Sequence, residues 1–355
     1  LVLKSLKKTF LLALKICIAA GLLWWLWESG KLEPDKIADA IRSHPFWIVL
    51  AFGIYNICIF LTATRWRMLL RSQDIRPPWA DCVQMTYIGC FFSCFLPGGT
   101  GGDFVKAYYV ARDSKHRAEA VTTVFLDRVL GLYCMVGLAS VALLFHVKDL
   151  WRHPGEVVAL GFSATQLLVV GVLSGFTLAT LGLAALLSSH CRRLVHFVLG
   201  HLPERMADIL RRVYEAVYLY RSQKTVLVKF VLYSVTAHGL AAFALWIVGI
   251  SLADPVAHGG ARALNYFFLV PLGLVINGLP LTPGGIGAFE WALDLLFATV
   301  IHTGESNMGS TVAALGHILF ILTNQVGIIF YLKGKKRVEE AMHDAEAAEG
   351  GAPET

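Results

Sequence analysis

Residues 96–112, LPGGTGGDFVKAYYVAR, and residues 279–290, LPLTPGGIGAFE, each set a proline and a glycine pair inside strongly apolar sequence and follow them with an acidic residue. A helix does not run smoothly through such a stretch, because proline lacks a backbone donor and glycine loses the most conformational freedom on ordering. Within a bilayer no water satisfies the freed backbone groups, so a break persists only where it is buried in protein or lines a wet cavity. Broken helices of this kind hold the substrate in transporters. Both stretches therefore read as tips of hairpins around which the remaining helices are arranged.

The surrounding composition sets the solvent. Of 355 residues, 56% are hydrophobic and only 16% charged, and the mean hydropathy is positive. That excludes an ordinary soluble domain and fits an all-α polytopic membrane protein. The net charge of +6 does not mark nucleic-acid binding, because the basic residues sit beside apolar runs and read as topology determinants. Seven cysteines lie almost entirely in apolar runs without paired loop spacing, so no disulfide framework is expected. Cys90 and Cys94 are one helical turn apart, but no His or acid accompanies them at ligand spacing, so no metal and no cofactor are expected.

Working outward in chain order, residues 9–27 follow Lys4, Lys7 and Lys8 and end in Trp24, Trp25 and Trp27, a retained first span with an interfacial aromatic anchor. Residues 35–43 fit a short surface helix. A second span, 46–64, ends in Arg65, Arg67, Arg71 and Arg76, read as a cytoplasmic cluster. Residues 85–96 are too short to cross, since a span needs about 20 apolar residues, and basic clusters flank the broken segment on both sides. A re-entrant hairpin over 81–112 follows. Spans are expected at 120–145, 163–188 and 226–252. Between the last two, residues 204–220 place apolar side chains at 206, 209, 210, 213 and 217, the spacing of an amphipathic cytoplasmic helix. Residues 264–279 run to the second break, 288–301 return from it, and 311–332 form the last span before Lys333, Lys335, Lys336 and Arg337. The Ala-, Gly- and Glu-rich tail, 338–355, is expected to be disordered. On this path most Lys and Arg fall on the cytoplasmic side, with Lys31, Lys36, Arg42, Lys148, Arg152 and Arg262 outside, as the positive-inside rule demands. Both termini are then cytoplasmic.

The order has a symmetry. Span, span, hairpin opening inward and span occupy about 9–145; span, span, hairpin opening outward and span occupy about 163–332. The expected fold is six full spans plus two re-entrant hairpins arranged as an inverted-topology repeat, a pattern that points to a midplane site.

The candidate substrate-binding residues follow from that. Gly98, Gly99, Gly101 and Gly102 in the first tip, and Thr282, Gly284 and Gly285 in the second, leave backbone N–H groups free to face an anionic group, with a helix dipole behind each tip. Asp103 and Glu290 follow the tips. Asp127 and Arg128 lie two turns into a span, where each costs roughly 2.5–3.5 kcal/mol on an insertion scale. As neighbours they point about 100° apart and need separate partners. Arg128 suits a lipid phosphate through its planar donor fork, or else forms a structural ion pair with Asp103, Glu290 or Asp294. Glu290 either receives a cationic headgroup or holds its hairpin in place. His238 and His317 read as interhelical hydrogen bonders.

Three stretches in order, LPGGTGGDFVKAYYVAR (96–112), FLDRVLGL (125–132) and LPLTPGGIGAFEWAL (279–293), resemble the lysylphosphatidylglycerol synthase transmembrane-region family, the flippase-like domain of bacterial multiple peptide resistance factors. The resemblance covers about residues 9–337. It implies translocation of an amphipathic lipid, such as an aminoacylated phospholipid or a polyprenyl-phosphate-linked lipid. In full-length resistance factors a soluble aminoacyl-transferase domain makes the lipid. No such domain follows Arg337 here, so no enzymatic activity is expected. The implied partners are a membrane lipid substrate and a lipid-synthesising or glycosyltransferase enzyme. Two other readings stand beside it: an accessory subunit of a lipid-modifying or glycosyl-transfer system, and a secondary transporter of a small polar solute.

Overall fold

The computed structural model describes residues 17, 20–95, 101–112, 117–152, 157–159, 162–188, 211, 214, 218, 220–253, 264–278, 281–301 and 309–350. The first-span residues 9–16, most of the 204–220 segment, and Gly98 and Gly99 lie outside these. What is described of the first span, residues 20–28, is helical.

Among the described residues ten further α-helices follow. Pro34–Ser43 (α1) and Pro45–Ser72 (α2) each begin on a proline, which costs nothing at a first position whose N–H has no helical partner. Trp79–Phe95 (α3) and Gly101–Arg112 (α4) flank the first break, and Arg117–Arg152 (α5) follows. α5 runs on to Arg152, beyond the expected span end at 145. A short antiparallel ribbon, Val157–Ala159 with Phe162–Ser163, follows. It delivers the chain to Ala164–Leu187 (α6), whose start is fixed by a reciprocal cap between Ser163 and Gln166. Lys224–Ser251 (α7), Tyr266–Asn277 (α8), Ala288–Ile301 (α9) and Gly309–Gly350 (α10) complete the order. α10 continues to Gly350 through the segment expected to be disordered from Val338, because its Ala and Glu residues are strong helix formers.

Five described helices are long and apolar enough to cross a membrane: α2, α5 to Phe145, α6, α7, and α10 to Gly334. α3, α4, α8 and α9 are shorter than the about 20 residues a crossing needs. Each short pair doubles back on itself. Ser93 Oγ accepts from Gly102 N at 3.1 Å, while Cys82 clusters with Ala107 and Val110 at the far end. Likewise Gly273 packs against Phe289 and Leu293, and the rings of Tyr266 and Phe297 meet edge to face at 5.1 Å.

The packing of the eight helices α2–α5 and α7–α10 repeats itself. α2 lies against α7. α3 packs on α10 as α8 packs on α5; α4 packs on α5 as α9 packs on α10; α2 touches α3 as α7 touches α8. Exchanging α2 with α7, α3 with α8, α4 with α9 and α5 with α10 returns the same set of neighbours. The α2–α7 seam is lined by Ala51, Ile54, Tyr55, Ala244, Leu245 and Val248, all buried. Small residues there let the backbones approach, which is how helices associate in lipid without a hydrophobic driving force. Outside the bundle core, the 3-10 turn Tyr220–Ser222 is tied to the end of α2 by the Tyr220 hydroxyl, which donates to the Leu69 carbonyl at 3.0 Å. Burial pushes that phenol up to about 12, so it remains a donor throughout the physiological range.

Candidate functional site

The helix ends that flank the two breaks converge on one cavity of about 440 Å³. Its wall carries Asp103 and Lys106 from α4, Asp127 and Arg128 from α5, His238 from α7, Asn277 and Gly278 from α8, Gly284 from the second tip, and His317 and Asn324 from α10. The cavity is lined mostly by apolar surface, carries these polar and charged groups on its wall, and is open enough to leave Arg128 partly exposed. A polar group can be held there out of the lipid.

Of the expected residues, Asp103, Asp127, Arg128 and Gly284 line this cavity. Gly101 and Gly102 open α4 beside it. Thr282, Gly285 and Glu290 are buried but do not line it. The second tip is left-handed at three positions, with φ of +60° at Gly284, +79° at Gly285 and +80° at Gly287, a conformation only glycine adopts freely. Gly284 also touches the first hairpin: a Cβ there would stand 2.9 Å from the Cys94 carbonyl oxygen. The ends of the two hairpins are in contact.

As their angular offset requires, Asp127 and Arg128 take different partners. Asp127 is clasped by Arg65, whose Nε reaches Oδ1 at 2.9 Å and whose Nη2 reaches Oδ2 at 3.0 Å; Nη1 donates to Ser234 Oγ at 2.9 Å. Arg65 also lies over the Phe230 ring at 4.7 Å. This corrects the assignment of Arg65 to a cytoplasmic cluster. It is 5% exposed and ties α2, α5 and α7 together. Its neighbours Arg67, Arg71 and Arg76 are partly or fully exposed. Arg128 takes the looser pairing, with Nε 3.7 Å from Asp103 Oδ2, and its side chain keeps 41% exposure. Asp294 pairs with Lys31 at 2.7 Å, which removes it as a partner for Arg128.

Glu290 is committed within the fold. One oxygen accepts from Gly287 N at 2.7 Å, capping the start of α9, and the other meets His317 Nδ1 at 2.8 Å. His317 Nε2 lies 3.1 Å from the Gly284 carbonyl. Of the two roles left open for Glu290, this geometry is that of a residue holding its hairpin in place. His238 Nε2 meets the Gly131 carbonyl at 3.1 Å, so both intramembrane histidines bridge helices. A parallel emerges between the halves. Each acid at the start of a return helix faces a basic side chain on the span that follows it, Asp103 with Arg128 and Glu290 with His317. The first pair is open and half exposed; the second is sealed.

Sequence reasoning missed Asn277 and Asn324, and it read Lys106 as part of the cytoplasmic basic cluster after the first break. The structure corrects that assignment, since Lys106 is buried on the cavity wall. Lys106 had a signal, lying three residues after Asp103 on the same helical face. Buried polar oxygens without a hydrogen-bond partner include Asp103 Oδ2, Asn277 Oδ1 and Asn324 Oδ1, all from residues on the cavity wall.

An apolar helical bundle with several crossing-length helices and a cavity between them that carries charged side chains is a multi-pass membrane protein. The chain belongs to the family described as "Lysylphosphatidylglycerol synthase TM region", matched over residues 12–327. It is similar to a UPF0104 membrane protein of Methanothermobacter thermautotrophicus, 22% identical over 75% of this chain and 80% of that one. A second UPF0104 membrane protein of that organism is 21% identical, over 82% and 85%. The glycosyltransferase AglD of Haloferax volcanii is 24% identical over 81% of this chain and 49% of its own length, so the likeness spans about half of AglD.

Proposed function

We propose that this protein moves an amphipathic lipid between the leaflets of the inner membrane, without covalent chemistry on it. The observation that carries this reading is the partly open, largely apolar cavity between the helix ends that flank the two breaks, with Asp103, Lys106, Asp127 and Arg128 on its wall. A headgroup occupies the cavity while the acyl tails stay in the bilayer. The substrates that fit are an aminoacylated phospholipid or a polyprenyl-phosphate-linked lipid.

The accompanying architecture is six spans and two re-entrant hairpins, with halves 9–145 and 163–332 inverted and both termini cytoplasmic. The exchange symmetry of the packing and the short lengths of α3, α4, α8 and α9 support it. Single cysteines at Ser114 and Ser306, in a cysteine-free background, test the inversion. Ser114 is expected to label from the cytoplasm and Ser306 from outside; labelling from the same side would sink it.

The direct test places purified protein in liposomes. Exchange of a labelled phospholipid between leaflets is expected to be faster than in protein-free vesicles, with no leak of an entrapped dye. No acceleration for phospholipid, polyprenyl-phosphate or sugar headgroups would turn the reading to its rival. That rival is an accessory subunit of a glycosyl-transfer system, favoured by the similarity to about half of a glycosyltransferase. It predicts activity only when a partner enzyme is added.

A further inference from the structure

Lys106 is a buried lysine to which no carboxylate among the described residues is salt-bridged. It lies on the cavity wall, 5% exposed, with Nζ 3.9 Å from the centroid of the Trp66 ring. Trp66 is itself fixed, since Nε1 donates to Thr123 Oγ1 at 3.1 Å. Among the described residues no carboxylate lies within ion-pair distance of Lys106 and no hydrogen bond is made by its ammonium. The two nearby acids are engaged elsewhere, Asp127 by Arg65 and Asp103 by Arg128. A ring face offsets only part of the hydration an ammonium loses on burial. In a bilayer an ionisable residue without a partner marks a substrate route.

The second cation on this wall is incompletely used. Arg128 keeps 41% exposure and reaches Asp103 only at 3.7 Å, leaving Asp103 Oδ2 without a hydrogen bond. Its Nη2 extends toward α8, 3.6 Å from where a Cβ on Gly278 would stand. Arg65 also lines the cavity, but its charge is already paired with Asp127, its Nη1 donates to Ser234 Oγ and its plane lies over Phe230. Lys supplies a point charge and Arg a planar fork, a combination suited to a tetrahedral oxyanion. α4 begins on the same side and brings the positive end of its dipole there.

We propose that Lys106 and Arg128 form a two-cation subsite for a phosphate group on the α4–α5 wall of the cavity. The inference rests on the lipid-translocation reading and adds the group recognised: headgroups bearing phosphate are accepted through it, and uncharged sugar headgroups do not use it. Binding of phosphate replaces Asp103 as the partner of Arg128 and gives Lys106 the anion it lacks.

The test uses the full chain with Lys106→Met and Lys106→Gln. In detergent, the melting temperature of the wild type is expected to rise with dihexanoyl phosphatidylglycerol and not with octyl glucoside. Affinity for that lipid falls about tenfold in both variants, the loss of one charge-assisted contact. The unliganded melting temperature of Lys106→Met stays level or rises, because an apolar side chain replaces an unpaired charge. Inorganic phosphate identifies the source: stabilisation matching the lipid's assigns a soluble anion, and stabilisation by the lipid alone assigns a headgroup; either supports the subsite. In liposomes, exchange of labelled phosphatidylglycerol slows in both variants while exchange of labelled glucosylceramide does not. Equal phosphate affinity in wild type and variants overturns the subsite. So does a failure of both variants to fold, which would make Lys106 a structural charge. Intact phosphate binding without exchange of any lipid would instead remove the translocation reading and leave the subsite standing.

Discussion

Asp127→Asn is expected to lower the free energy of unfolding by about 3–5 kcal/mol, the cost of leaving one member of a buried ion pair uncompensated. The Arg65 side chain is 6% exposed and that of Asp127 is 8%, so water cannot stand in for the lost carboxylate. Arg65→Met is expected to destabilise by a similar amount for the mirror reason. The double replacement Arg65→Met with Asp127→Leu recovers most of both losses, because a well-packed apolar pair often matches a buried ion pair in stability. Thermal melting of the three variants checks this. Lipid exchange per folded molecule in the double variant separates a structural pair from a binding one. Near-wild-type exchange makes Asp127 structural, and loss of exchange with stability restored makes it part of the route.

The other large effect is at the close approaches of the hairpins. Gly102→Ala would place a Cβ 1.7 Å from the Gly89 carbonyl oxygen and 2.4 Å from Ser93 Oγ. The first obstacle is backbone and cannot rotate away, so α3 and α4 must separate. Overpacking of this kind costs about 1–3 kcal/mol, occasionally more, and lipid exchange is expected to be abolished because the tip loses its position. Gly285→Ala combines a φ of +79° with a Cβ 1.5 Å from Asn277 Oδ1 and is expected to behave alike. Gly171→Ala on α6 is the control, since nothing lies within 4 Å of its Cβ. It is expected to gain up to about 1 kcal/mol from helix propensity and to leave exchange unchanged.

The helices and their breaks were legible because hydropathy, length and Pro-Gly punctuation are local properties. The 81–112 and 264–301 segments were bounded to within a few residues for that reason. Pairing was not local, and there the sequence was read less well. Arg65 stands two residues before Arg67 and six before Arg71, and nothing along the chain separates a core arginine from its surface neighbours. Only the packing of α2 against α7 and α5, which turns one face inward, makes the distinction. The clue available was the converse one: Asp127, inside a span, demanded a cation from elsewhere. Glu290 could be placed on its helix but not assigned a task, because its partner His317 lies on α10, beyond the return of the hairpin. Thr282 and Gly285 were grouped with the cavity residues by proximity in sequence, whereas the left-handed turns of the second tip bring only Gly284 to the wall.

The Arg65–Asp127 clasp also imposes an order on synthesis. Sixty-two residues separate the pair, so at about 5–20 residues per second the ribosome delivers Asp127 about 3–12 s after Arg65. In that interval α2 carries an arginine that costs roughly 2.5–3.5 kcal/mol at the centre of a bilayer. Arg65 lies two turns from the end of α2, near enough for its long side chain to reach the interface and wait there in water. α2 is therefore expected to take its final depth only when α5 enters and its Asp127 pairs with the guanidinium. Ser234, 169 residues from Arg65, closes the clasp later still. Nascent chains truncated before and after residue 127 should place α2 at two different depths.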